Sequence, residues 1–147
     1  MKKIVLALLL ASAAVPAMAA DVSAPFNVTV NLSSVCELTT PDDVAFVYTS
    51  LQVGASTATG GGFDVTCTNS LPYQIGFTNA ATPAATAAGT FATVNLAYTL
   101  GLSATSGVGS GVAQSNTITG SMVAGQAGTC ASASCTDTMV QTLYVVY

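Results

Sequence analysis

The sequence predicts an all-β fold arranged as a sandwich, and three observations lead there. Apolar residues recur at every second position in run after run. Short clusters of Gly, Asn, Ser and Pro separate those runs, and no stretch beyond residue 19 sustains a helical period.

The chain has 147 residues. Its first nineteen form a separate element. "MKK" is a short basic start, "IVLALLLASAAV" is an apolar stretch too short to span a bilayer, and "AMA" at residues 17–19 is a small-x-small cleavage site. Residues 1–19 therefore read as a secretory signal peptide. Cleavage after Ala19 leaves 128 residues, 147 less 19, enough for one domain with one core.

The mature chain opens on "DVSAPFNVTVNL", in which Val22, Ala24, Phe26, Val28, Val30 and Leu32 alternate with Ser23, Pro25, Asn27, Thr29 and Asn31. Such alternation marks a β-strand with one buried face, although no hairpin turn follows closely. "SSVCELTTPDD" breaks the pattern with a turn around Pro41 and Asp42, "VAFVYTSLQV" is a β-prone run, and "GASTATGGG" reads as a flexible loop. "FDVTCTN" places Phe63, Val65 and Cys67 on one face, and "LPYQIGFTN" does the same for Leu71, Tyr73, Ile75 and Phe77.

"AATPAATAAGT" at residues 80–90 is rich in alanine, yet Pro83, its threonines and Gly89 argue for a loop or irregular edge over a helix. "FATVNLAYTLGLS" carries one long strand or two, with Val94, Leu96, Tyr98 and Leu100 together. "ATSGVGSGVAQSN" reads as a loop, "TITGSMVAGQAG" as a short strand and turn, and "TDTMVQTLYVVY" as a strong β run. The expectation is one leading strand and about six or seven others.

Composition narrows function. Lys2 and Lys3 are the only cations and leave with the signal, so the formal charge goes from −4 to −6. The six carboxylates are Asp21, Glu37, Asp42, Asp43, Asp64 and Asp137. A mature chain without Lys, Arg or His cannot neutralise phosphates, which argues against nucleic acid and anionic lipid as partners. Its surface is built from Ser, Thr, Asn, Gln and Gly, with little mutual repulsion between copies.

Four cysteines in an exported chain imply two disulfides, for which three pairings are open. The spacing of Cys130 and Cys135 suits a local clip, which leaves Cys36 with Cys67. A four-thiolate zinc site is the competing reading, and it lacks paired Cys-x-x-Cys spacing.

Nothing in the sequence points to catalysis, a cofactor or a metal. Without His or Lys, the triad, Cys-His and Schiff-base chemistries have no players. Asp42, Asp43 and Asp64 are formal candidates for a two-carboxylate glycosidase, but Asp42 and Asp43 follow Pro41 in a turn, where aspartate is favoured for local hydrogen bonds. "GVGSGV" precedes no helix and is no phosphate loop. Tyr48, Tyr73 and Tyr98 could offer stacking platforms for a carbohydrate, although their places in alternating runs favour the core.

Two edges remain unexplained. The opening strand has no near partner, and the apolar run "MVQTLYVVY" exposes an edge that invites pairing. Addition of a strand from a neighbouring subunit would satisfy both.

"FNVTVNLSSVCEL", "FDVTCTNSLPYQIGF", "LAYTL", "VAGQAG" and "TDTMVQTLYVVY", in that order, resemble the spore coat protein U domain, the subunit fold of archaic (Csu-type) chaperone-usher pili. The resemblance runs from about Val22 to Tyr147, with "CTN" at Cys67, Gly125-Gln126 and the aspartate-led terminal strand among its most specific parts. It implies an incomplete immunoglobulin-like β-sandwich that lacks its last strand. A periplasmic chaperone fills the gap first, and at an outer-membrane usher the next subunit's N-terminal strand replaces it. On this sequence, residues 20–34 are then the donor segment and 35–147 the pilin domain. The donor residues are Val22, Ala24, Phe26, Val28, Val30 and Leu32. The acceptor edge is Met139, Gln141, Leu143, Val145 and Tyr147, or the alternate set Val140, Thr142, Tyr144 and Val146. The family's disulfide maps onto Cys36 and Cys67, while the Cys130–Cys135 clip is an addition to the pattern. The implied product is a homopolymer, a pilus exported through the periplasm to the cell surface for adhesion and biofilm formation. The alternative is a self-contained secreted coat or matrix β-sandwich whose opening strand pairs within its own chain.

Mass spectrometry of the secreted protein should find a mature chain beginning at Ala20; an N-terminus upstream of residue 17 would mean that the leader is retained.

Overall fold

The computed structural model describes residues 21–147. The signal peptide expected at residues 1–19 lies outside them. The chain divides into a leading unit that ends at Asn31 and a body from Leu32 to Tyr147.

In the leading unit, residues 21–31 belong to no strand and are exposed throughout. The alternation that predicts a strand is present, but a strand exists only where a partner satisfies its N–H and C=O groups, and this segment is in no ladder.

The body is all-β, with eleven strands and no helix among the described residues. In chain order they are β1 (Cys36–Leu38), β2 (Val44–Ala45), β3 (Ser56–Thr57), β4 (Thr59–Gly60), β5 (Gly62–Cys67), β6 (Pro72–Gly76), β7 (Thr86–Phe91), β8 (Leu96–Leu102), β9 (Ser106–Val108), β10 (Gln114–Met122) and β11 (Tyr144–Val146). The larger sheet runs β1-β5-β10-β8-β7, with β3 added to β10. A smaller sheet runs β11-β6-β9, and β2 pairs with β4. All the pairings are antiparallel.

Alternation places the core. Phe63, Val65 and Cys67 of β5, Tyr73 and Ile75 of β6, Tyr98 and Leu100 of β8, and Ile118 and Met122 of β10 form one buried cluster, drawn from both sheets. Every face assignment made for β5, β6 and β8 is recovered, except that Val94 lies in the β7–β8 turn.

Several boundaries differ from expectation, and mostly in one direction. Residues 86–90, expected as loop or irregular edge, belong to β7 and pair with β8 from Thr86↔Gly101 to Phe91↔Leu96. Their small side chains are what the neighbour requires: a Cβ at Gly89 would stand 2.6 Å from the Tyr98 hydroxyl. The stretch expected as one loop over residues 104–116 contains β9 and the start of β10. β10, expected to be short, is the longest strand at nine residues, because its first half pairs with β5 and its second with β8. The run "VAFVYTSLQV" contributes only β2, and the loop "GASTATGGG" holds β3, β4 and the first residue of β5. Strand propensity measures fit to a pleated neighbour more than an intrinsic preference of the residue, so polar and small-residue segments become strands wherever a partner edge waits.

Both disulfides form, Cys36–Cys67 and Cys130–Cys135, and no cysteine is free. Cys36 and Cys67 face each other directly across β1 and β5, so the bond ties an edge strand to a buried one. It spans 31 residues of sequence against 5 for the other. On the chain-entropy account, replacing Cys36 and Cys67 together by serine lowers stability by about 3–4 kcal/mol and replacing Cys130 and Cys135 by about 2 kcal/mol, read as shifts in denaturant midpoint. Equal shifts would contradict that ordering.

Candidate functional site

The candidate site has two parts, each described by itself. The first is the leading segment. Val22, Phe26, Val28, Val30 and Leu32 are each more than four-fifths exposed, and Ala24 is exposed as well. Buried, each large member of this set would contribute about 1.5–3 kcal/mol. Isolated apolar residues are ordinary on a protein surface; a regular series of exposed ones is not.

The second part is the C-terminal segment. β11 pairs with β6 alone, in the register Tyr144↔Gly76, Val145↔Ile75 and Val146↔Gln74, and it ends its sheet. Among the described residues no strand lies against its outer edge. Leu143 and Val145 pack on the core, which makes the odd-numbered positions the inward set over this stretch. Tyr144 and Val146 are half-buried, and Val140, Thr142 and Tyr147 are exposed. A depression of about 360 Å³ open to solvent runs along Val146, Tyr147, Gln74 and Ser106.

The strand is shorter than "MVQTLYVVY" predicts, because residues 139–143 are held by side chains before the ladder begins. Tyr98 is the anchor. Its ring is buried between Phe91, at a centroid distance of 4.9 Å, and Phe46, at 6.0 Å. Its hydroxyl donates to Met139 Sδ at 3.0 Å and accepts from Gln141 Nε2 at 2.8 Å. Of the expected acceptor residues, only Leu143 and Val145 pack on the core; Met139 and Gln141 are exposed and touch it through the Tyr98 hydroxyl, and Tyr147 is exposed.

Asp137 starts this path. Its Oδ2 accepts hydrogen bonds from the backbone N–H of Thr93 at 2.6 Å and of Val94 at 3.3 Å, and its Oδ1 accepts from Thr138 N–H at 2.8 Å. These donors, the Thr93 N–H foremost, hold its carboxyl below the ordinary value of 3.8. Gln126 does a related service at β8. Its side-chain amide accepts from Ala97 N–H at 2.7 Å and donates to Ala97 C=O at 3.0 Å, which imitates a strand residue just past the end of β10. Gly125 supplies the turn before it, with φ of +78°.

The other carboxylate candidates bond within the body. Asp64 Oδ1 accepts from Ser115 Oγ at 2.6 Å, and the Asp42 N–H donates to Gly62 C=O at 2.9 Å. Among the described residues no three His, Cys, Asp or Glu side chains come together in a metal-binding arrangement. Tyr73 and Tyr98 are buried with their hydroxyls bonded, and the hydroxyl of half-buried Tyr48 donates to Val123 C=O and accepts from Gln126 N–H. Burial takes Tyr73 and Tyr98 out of reach as stacking platforms, and Tyr48 packs against the core. Sequence reading marked Asp137 and Gln126 but not their partners, which lie 44 and 29 residues away, and it took Tyr98 as a core residue without its hydroxyl contacts.

No family model, curated protein or solved structure matches the chain.

Removing only the hydroxyl, in Tyr98→Phe, should lower stability by about 1 kcal/mol and raise protease sensitivity at residues 139–141. A loss of stability with unchanged cleavage there would separate Tyr98 from the C-terminal segment.

Proposed function

We propose that the protein is a structural subunit of a surface pilus that polymerises by donor-strand complementation. Residues 20–34 of one copy complete the sheet of the next along the outer edge of β11. The observation that carries this reading is the presence, in one chain, of an exposed alternating apolar segment and of a C-terminal strand against whose outer edge no strand lies among the described residues.

The strand order fits an immunoglobulin-like sandwich that lacks its last strand. Such a fold would place the missing strand beside β11, and the side chains of Val22, Ala24, Phe26, Val28, Val30 and Leu32 would fill the interior next to Leu143 and Val145. Burying the five large members contributes on the order of 10 kcal/mol gross, from which ordering a dozen residues subtracts much. Dissociation would be slow because the whole strand has to unzip. Since donor and acceptor are different surfaces, the contact is head-to-tail and yields a filament.

A subunit with an open edge needs protection before assembly, which calls for a periplasmic chaperone and an outer-membrane usher. Two disulfides suit the oxidising route of export. The function in this reading is adhesion and biofilm formation, without enzymatic chemistry.

Electrophoresis in SDS of shed surface material, unheated and boiled, tests it. A ladder that collapses to one band on boiling is expected, and it should be absent when residues 20–32 are deleted. Val28→Asp and Val30→Asp should abolish the ladder while leaving the chaperone-bound monomer soluble. A single monomer band in every lane would favour the self-contained secreted sandwich.

A further inference from the structure

The loop that joins β10 to β11 leaves and returns to one place. At its start, Thr129 N–H donates to Val94 C=O at 2.7 Å, and Gly128, at φ of +66°, lies close against Val94 and Leu96. At its end, the Asp137 carboxylate takes the N–H groups of Thr93 and Val94. Between these feet the exposed Cys130–Cys135 bond closes the chain reversal. Both feet therefore stand on the single turn that joins β7 to β8, two residues from Leu96 and four from Tyr98.

We propose that Asp137 is a positioning residue for strand acceptance: its carboxylate, clasped on the β7–β8 turn, sets where the C-terminal segment begins and so holds the outer edge of β11 in place to receive a donor strand. This rests on the reading of β11 as the acceptor edge. The physical case is that three backbone N–H groups converge on one carboxylate, among residues 21–147, which include no Lys, Arg or His to do the same work. From Asp137 the path runs to Met139 and Gln141 on the Tyr98 hydroxyl, then to Leu143 and Val145 on the core. If the start slips by one residue, the inward and outward sets exchange faces along the edge.

The clasp is acid-sensitive. The turn at residues 92–95 has no ionisable side chain, and in the loop at residues 123–136 the only such groups are Cys130 and Cys135, which are bonded to each other. Asp137 is thus set by the backbone donors and the Thr93 side chain, with no second ionisable group on that turn or loop. Its native value is depressed, so its stabilising effect is complete above the ordinary value of 3.8 and disappears as pH falls through the lower native value.

The test uses the mature chain with Asp137→Asn and Asp137→Ala. Amide hydrogen exchange at Thr93, Val94 and Tyr144–Val146 should be roughly tenfold faster in the alanine variant, with exchange in β5 unchanged. The difference in unfolding midpoint between wild type and Asp137→Asn should be full near neutral pH and close below pH 3.8; a carboxylate with a merely packing role would leave that difference independent of pH. In the electrophoretic assay, Asp137→Ala should shorten the ladder although its donor segment is intact. Faster exchange confined to Thr93 and Val94, with Tyr144–Val146 at the wild-type rate, would overturn the proposal. So would a full-length ladder from the alanine variant. A wild-type chain that forms no ladder would instead remove the acceptor reading, and the exchange and pH profiles would still decide whether Asp137 positions β11.

Discussion

Residues 21–147 contain no lysine, arginine or histidine, and that absence governs how their polar groups are satisfied. Ion pairs cannot help, so order comes from apolar burial, two disulfides, and hydrogen bonds among backbone, amide, hydroxyl and carboxylate groups. Strand edges feel the constraint most, because a buried or half-buried N–H or C=O left without a partner costs about 1–3 kcal/mol. Proteins commonly blunt such edges with lysine. This one covers them with side chains that imitate a backbone.

Gln126 and Asp137 show how. The Gln126 amide offers one donor and one acceptor to Ala97 where β10 has ended, and the Asp137 carboxylate receives the donors of the β7–β8 turn. The Tyr98 hydroxyl, both donor and acceptor, serves Met139 and Gln141 in the same way. These three residues fix the chain from the end of β10 to the start of β11. Among the described residues no strand lies against the outer edge of β11, and no cation blunts it.

The parts of the fold that were legible are those in which one strand declares its own face. β5, β6 and β8 alternate strongly, and Phe63, Val65, Cys67, Tyr73, Ile75, Tyr98 and Leu100 are all in the core. Illegible were strands made of small and polar residues, such as β7, β9 and the first half of β10, where the side chains carry almost no periodic signal. Gly89 reads locally as a breaker. In the fold it is the residue that lets the Tyr98 ring cross β7.

By itself, then, the sequence determined the all-β class, the inward faces of the strongly alternating strands, the apolar series from Val22 to Leu32, and the pairing of Cys130 with Cys135 that leaves Cys36 for Cys67. Each of these is a property of neighbouring residues or of a count. Tertiary structure alone decided which segments pair, where β11 begins, and what Asp137, Gln126 and Tyr98 bind, because those contacts join residues 29 to 44 positions apart. A hydrogen-bond donor or acceptor names the kind of partner it needs but not its place in the chain, and only the folded path supplies that place.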